Sequence, residues 1–226
     1  MIEFDGVAVD ADDGAPIVRD VTLRIEGGRT AVIGANGSGK TTLARLVNGL
    51  GLPSRGRVRV DGLDTKAERR DVQRRVGFVF QDADHQLVYP TPAEDVALGL
   101  RARGVPGRDA DARARAALAG LGLGDVADQA IHTLSGGEKQ LVALAGVLVL
   151  DPAWVVLDEP TAALDLVNRR RVIAALDALR VPIVVVSHDL EHVRGFDRAV
   201  LMQDGAVAAD GAPAAVIDAY VAAVGA

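Results

Sequence analysis

Residues 34–42 read Gly34-Ala35-Asn36-Gly37-Ser38-Gly39-Lys40-Thr41-Thr42, and no other stretch limits the possible folds of this chain so tightly. The spacing fits G-x-x-x-x-G-K-[ST], which is meaningful only between a strand and a helix. The flanks supply both. Residues 30–33 form a short apolar run, and a helix is predicted from Lys40 to about Asn48-Gly49. The glycines let the backbone curl until its N–H groups converge, and the helix N-terminus adds a positive dipole at the same point. Such a loop receives phosphate oxygens. Lys40 is placed to reach the β- and γ-phosphates of a nucleoside triphosphate, and the Thr41 hydroxyl to ligate Mg²⁺.

The rest of the chain alternates in a way that suits this loop. Residues 3–9, 18–25 and 57–60 read as strands, with a turn at Asp12-Asp13-Gly14, and residues 66–75 as a charged surface helix. Residues 76–80, 154–157 and 183–186 are apolar β-type runs, and residues 199–202 and 206–208 are late strands. Helices are predicted over 91–122 with breaks at Gly104 and Gly107, and over 136–148, 167–179 and 213–224. Apolar strands alternating with helices imply an α/β fold around a mainly parallel sheet. The early run of strands adds an antiparallel β portion. The expected organisation is one domain, 1–226, with an inserted helical subdomain over about 82–150.

Composition excludes several functions. The net charge of −6 disfavours broad nucleic-acid binding, which needs a basic surface. There are no cysteines, so disulfides, thiol nucleophiles and thiolate metal centres are absent. The N-terminus shows no signal-peptide pattern. The longest apolar run, residues 141–150, is shorter than the roughly 20 residues that span a bilayer. Any membrane role is therefore expected to go through a partner.

Further motifs end the later strands. Trp154-Val155-Val156-Leu157-Asp158-Glu159-Pro160 delivers two carboxylates to a strand end, where α/β sheets bind ligands. Asp158 suits Mg²⁺ and Glu159 suits a general base for water. His188 follows residues 183–186, and Gln81 follows residues 76–80. Taken alone, His188 serves either a structural hydrogen bond or a γ-phosphate, and Gln81 either the surface or Mg²⁺ and water. Leu134-Ser135-Gly136-Gly137-Glu138 opens a helix. It reads as a plain N-cap or as a second anion-binding helix end.

In this order the motifs resemble those of the ATP-binding-cassette (ABC) ATPases, over residues 3–211 or so. The resemblance implies that two such subunits dimerise head to tail, each ATP lying between one P-loop and the other subunit's signature. It then places Ser135, Gly136, Gly137 and Glu138 against the partner's ATP. It makes Glu159 the base, His188 the γ-phosphate switch, Gln81 a Mg²⁺ and water contact, and Asp165 of Ala163-Leu164-Asp165 a cross-dimer contact. A finer resemblance runs from Gln81 to Gly99 and is similar to the ATPases of energy-coupling-factor (ECF) transporters, which import vitamins, cobalt and nickel. Their extra glutamine helix maps onto residues 84–87, with Gln86 as its named residue and a membrane partner docking there. The partners implied are a second ATPase subunit, identical or related, and transmembrane scaffold and substrate-binding subunits. The place implied is the cytoplasmic face of the cell membrane.

A conventional ABC importer or exporter ATPase, or a soluble member such as an iron–sulfur assembly factor, is the alternative. Three positions depart from the pattern. The aromatic that stacks on adenine falls at Ala11, the signature glutamine is Glu138, and a customary arginine is Leu141. The sequence stops soon after His188, two strands and a helix, so the C-terminal dimerisation extension of many ECF ATPases is expected to be missing.

Overall fold

The computed structural model describes residues 1–225. In chain order the elements are β1 (Ile2–Asp10), β2 (Pro16–Ile25), β3 (Arg29–Ile33), α1 (Lys40–Val47), β4 (Arg55–Val60), β5 (Leu63–Asp64), α2 (Arg69–Arg75) and β6 (Val76–Val79). Then follow α3 (Pro92–Ala102), α4 (Gly107–Gly120), α5 (Gly136–Leu148), β7 (Trp154–Asp158), α6 (Leu166–Asp177), β8 (Ile183–Val186), α7 (Leu190–Val193), β9 (Arg198–Gln203), β10 (Ala206–Gly211) and α8 (Pro213–Val224). The residues group into two compact units.

The first unit contains Met1–Gly77, Ala153–Glu159 and the chain from Val181 onward. One of its sheets is antiparallel, in the order β2-β1-β4-β5. Period-two alternation sorts its faces. Buried Ile2 lies between Ile25 and Val60, and Phe4 between Leu23 and Val58. On the other face Arg24 opposes Glu3, Glu3 opposes Arg59, and Arg59 opposes Asp64. Alternating signs across four strands make each neighbour favourable.

The other sheet runs β10-β9-β3-β8-β7-β6. β3 is parallel to both β8 and β9, β7 is parallel to β8, and β10 turns back antiparallel. Every residue of β7 and β8 is buried, the pattern of parallel strands covered on both faces. α1 packs on β7 and β8, and α8 on β9 and β10. Trp154 Nε1 donates to Asp61 Oδ2 at 3.3 Å, and Asp61 also holds the N-terminal ammonium. Register sets the level of the site. Val32 and Asp158 both pair with Val186, so the loops after β3, β7 and β8 emerge together.

The second unit contains Phe78–Pro152 and Pro160–Arg180. Here α3, α4 and α5 pack together, and α5 also packs on α6. Thr91 caps α3 with Pro92 in its first turn, a favoured start. The break between α3 and α4 falls at Gly104 (φ 83°) and Pro106. Ala110, Ala114 and Leu118, four residues apart, form the buried stripe of α4, the apolar face of an amphipathic helix. Arg115 pairs with Asp128 on its exposed side.

Several elements differ from expectation, the two-residue strand β5 among them. The helix predicted over 66–75 begins at Arg69, because the Asp64 carboxylate takes the N–H groups of Lys66 and Ala67 into a turn. The segment over 84–87 is a 3₁₀ turn at Ala83–His85, capped by Asp82, with Gln86 just past its end. The short helix α7, capped by Asp189, has no counterpart among the predicted elements. Among the described residues no helix is long and apolar enough to cross a membrane.

Candidate functional site

The first unit gathers the phosphate loop with the two carboxylates and His188. Gly34 has φ 143°, and a Cβ there would meet the Met202 carbonyl oxygen at 2.1 Å. Only glycine therefore lets β3 pass β9 into the loop. The loop ends at Gly39, which precedes α1 in a left-handed conformation. Lys40, almost fully buried, donates to the carbonyls of Gly34 at 2.9 Å and Ala35 at 2.8 Å. The ammonium thus spans the loop from inside. Burial pulls its pKa below the ordinary lysine value, while Glu159 and Asp158 act in the opposite sense.

Asp158 closes β7, and its Oδ1 accepts from Thr41 Oγ1 at 2.8 Å. A carboxylate and a hydroxyl, side by side at a phosphate loop, are the hard oxygen donors that Mg²⁺ takes together with substrate phosphates. Among the described residues no group of three or more His, Cys, Asp or Glu is arranged for a metal.

Glu159 has φ 49°, and its N–H donates to the Val186 carbonyl. Positive φ is costly for a residue with a side chain, and here it turns the carboxylate off the strand line. Burial raises the Glu159 pKa, with Asp158 adding to the rise and a His188 backbone hydrogen bond and Lys40 opposing it. His188 Nε2 lies 2.9 Å from Glu159 Oε1 without forming a hydrogen bond, and Oε1 is a buried oxygen without a donor among the described residues. Burial and Lys40 push the His188 pKa down, so the imidazole is neutral near pH 7. The result is a buried carboxylate with increased basicity and an acceptor oxygen open to a proton-bearing ligand.

The second unit holds the other predicted residues. Ser135 caps α5 in a full capping box with Glu138. Asp165 caps α6, accepting from the Val167 and Asn168 N–H groups and from Asn168 Nδ2 at 2.7 Å. Asn168 Oδ1 in turn lies 3.5 Å from Ser135 Oγ. Sequence reading misses Asn168, which joins the signature loop to the start of α6. A polar side chain three residues past an N-cap aspartate is the available signal. Gln81 lines a cavity of about 340 Å³ with Asp84, Lys139, Gln140 and Leu164. Lys139 Nζ pairs with Asp84 Oδ1 at 2.7 Å. Gln86 Oε1 accepts from the Phe80 N–H at 3.0 Å, and its Nε2 donates to the Ala143 carbonyl. Ala11 sits in the turn after β1, where its N–H donates to Ala15, and its methyl offers no ring to a base.

The ABC transporter family model matches residues 18–162. The chain belongs to this family. It is an ATP-binding, ATP-hydrolysing transporter subunit. The biotin transport ATP-binding protein BioM of Rhodobacter capsulatus is 41% identical, over 94% of this chain and 91% of that protein. The energy-coupling factor transporter ATP-binding protein EcfA1 of Caldanaerobacter subterraneus is 40% identical, over 88% of this chain and 74% of that one. Among solved structures, cbiO1 from Clostridium perfringens, part of the ABC transporter complex cbiONQ, superposes with a TM-score of 0.86 at 31% identity, covering 97% of this chain and 92% of that one. The dimeric ATP-binding cassette MJ0796, bound to ADP and Pi, gives 0.84 at 28% identity over 94% and 99%. The ABC ATPase fold expected from the motifs is the fold observed.

Proposed function

We propose that this ABC ATPase energises an ECF-type importer from the cytoplasmic face of the membrane, as one half of an ATPase pair. Its transmembrane partners take up a vitamin such as biotin or a transition-metal ion. The likeness to BioM, EcfA1 and cbiO1 supports the transporter class, and the dimeric MJ0796 supports the pair. Residues 1–226 act as one ATPase domain, and Gln86 belongs to the surface that meets the membrane partner.

The site residues take these roles. The loop from Gly34 to Thr42 wraps the triphosphate, with Lys40 on its β- and γ-phosphates. Thr41 and Asp158, with Gln81, would hold Mg²⁺, which supplies charge neutralisation on the phosphates when bound. Glu159 orients a water and takes its proton as the water oxygen bonds to the γ-phosphorus and the bond to ADP breaks. His188 contacts the γ-phosphate as a neutral donor. Ser135, Gly136, Gly137 and Glu138 face the nucleotide of the partner subunit, and Asp165 contacts that partner. Positioning and electrostatics carry most of the acceleration.

One observation carries the catalytic part of this reading: the buried Oε1 of Glu159 has raised basicity and no donor among the described residues. Glu159→Gln should bind ATP like the parent and lose at least about 100-fold in turnover, the scale of a positioned base. Hydrolysis at the parental rate would remove Glu159 from that role. Isolation of the native complex checks the transporter class. A single membrane scaffold with a small membrane-embedded binding protein is expected, and soluble partners alone would overturn it.

A further inference from the structure

The hydroxyl that the proposed function assigns to nucleotide is already taken. Ser135 Oγ donates to Glu138 Oε2 at 2.8 Å, and the Ser135 N–H donates to the same oxygen at 2.9 Å. The Glu138 N–H completes the box by donating to Ser135 Oγ at 3.3 Å. The other flank of the hydroxyl is Asn168 Oδ1, another oxygen. Arg171 Nη1 lies 4.0 Å from Glu138 Oε1, the carboxylate oxygen that does not accept from Ser135. Both hydrogen bonds from Ser135, and then Arg171, hold the Glu138 carboxyl below the ordinary glutamate range. It is therefore ionised at neutral pH.

Helix capping alone does not require this charge. A capping box closes equally with Glu or Gln at the third helical position, and a glutamine side chain there would keep the same acceptor oxygen. What the acid adds is a full negative charge on the face that receives a polyanion, and a stronger hold on the serine proton than an amide gives. We infer that Glu138 sets the nucleotide affinity of the shared site: its carboxylate retains the Ser135 hydroxyl and repels the incoming phosphates, so the pair closes only at higher ATP and reopens readily after hydrolysis. This rests on the reading that the Ser135 face receives ATP.

The size of the effect follows from Coulomb's law. One unit charge on phosphate about 6 Å from the carboxylate, at an effective dielectric of about 40, changes an equilibrium about tenfold. Physiological salt, with a screening length of about 8 Å, reduces this to about threefold.

Steady-state ATP hydrolysis by the purified full-length chain tests the inference, with Glu138→Gln compared to the parent at low and high salt. The expected result is a KM lowered about tenfold at low salt and about threefold near physiological salt. The urea midpoint falls only slightly, because the amide keeps the box but accepts more weakly than the carboxylate, so the salt dependence of KM is the deciding readout. A purely structural role would shift the midpoint and leave the salt dependence of KM alone. An unchanged or raised KM overturns the inference. Ser135→Arg separates it from the reading beneath, with retained binding of a fluorescent ATP analogue as the check on folding. If Ser135→Arg hydrolyses ATP like the parent, the Ser135 face does not serve ATP. If it is inactive while Glu138→Gln keeps the parental KM, only the role of Glu138 fails.

Discussion

Gly137 is the second residue of α5, where alanine would ordinarily improve a helix by up to about 1 kcal/mol. Its surroundings reverse that expectation. A Cβ built there lies 2.5 Å from Asn168 Cβ, 2.5 Å from Asn168 Oδ1 and 2.6 Å from Asn168 Cγ. Carbon atoms rest about 3.5–4.0 Å apart, so at least about 1 Å of separation has to be found. Asn168 Cβ is fixed to the backbone of α6 and does not rotate away. The two helices must part, and overpacking of this kind costs about 1–3 kcal/mol. Gly137→Ala should therefore destabilise the protein by about 1–2 kcal/mol net.

Urea unfolding followed by far-ultraviolet circular dichroism reads this as a lower midpoint at constant slope. Pairing the change with Asn168→Gly removes the opposing Cβ. The double variant should then be more stable than Asn168→Gly alone. The double-mutant cycle should show a coupling of about 1–3 kcal/mol, far above the roughly 0.5 kcal/mol scatter of independent sites. An additive cycle, or a Gly137→Ala protein as stable as the parent, would mean that Gly137 is glycine for some reason other than Asn168.

Two further outcomes follow from the first unit. Asp61→Ala leaves the indole N–H of buried Trp154 without its acceptor, which costs about 1–3 kcal/mol. Trp154 is the single tryptophan, so its emission reports the change, and Asp61→Asn, which keeps an acceptor and tolerates the φ of 50°, should recover most of the loss. A silent emission spectrum and unchanged midpoint in Asp61→Ala would remove that contact from the stability of the fold. The second outcome concerns acid. The N–H of Ala67, followed by that of Lys66 and by Arg57 and Arg59, holds Asp64 below the ordinary carboxylate range. A depressed folded value means that its stabilisation is complete above about pH 4, the unfolded value, and is lost as pH falls through the folded value. Asp64→Asn should flatten the dependence of the urea midpoint on pH in that window, and parallel curves for the two proteins would refute the assignment.

The chemistry of the first unit is legible in the sequence because short contiguous motifs carry it. Gly34 to Thr42 needs only the strand before it and the helix after it, and both are visible. The strand 183–186 is plain because four consecutive branched residues admit little else. Side-chain partnerships are harder to foresee. The Asp64 turn displaces the start of α2, since one carboxylate outcompetes helix propensity for two N–H groups. The stretch around Gln86 is too short for regular helix, and Asp82 closes it as a 3₁₀ turn. Asn168 shows in the sequence only as a polar residue three past Asp165, while its contact with Ser135 depends on the distance between α5 and α6, which no local spacing encodes. Glu138 stands out in the sequence as a departure, but its grip on Ser135 depends on side-chain geometry within the folded capping box.

The strand that presents the phosphate loop finds both of its sheet partners late. β3 ends at Ile33, yet its neighbours are β8 and β9, which begin at Ile183 and Arg198. During synthesis some 150 residues must leave the ribosome before β3 is flanked on either side. Until then the loop at Gly34 lacks the Met202 carbonyl that it turns against. Nascent chains released before about residue 180 should therefore be unable to grip ATP. The order of the strands makes the phosphate loop wait on β8 and β9.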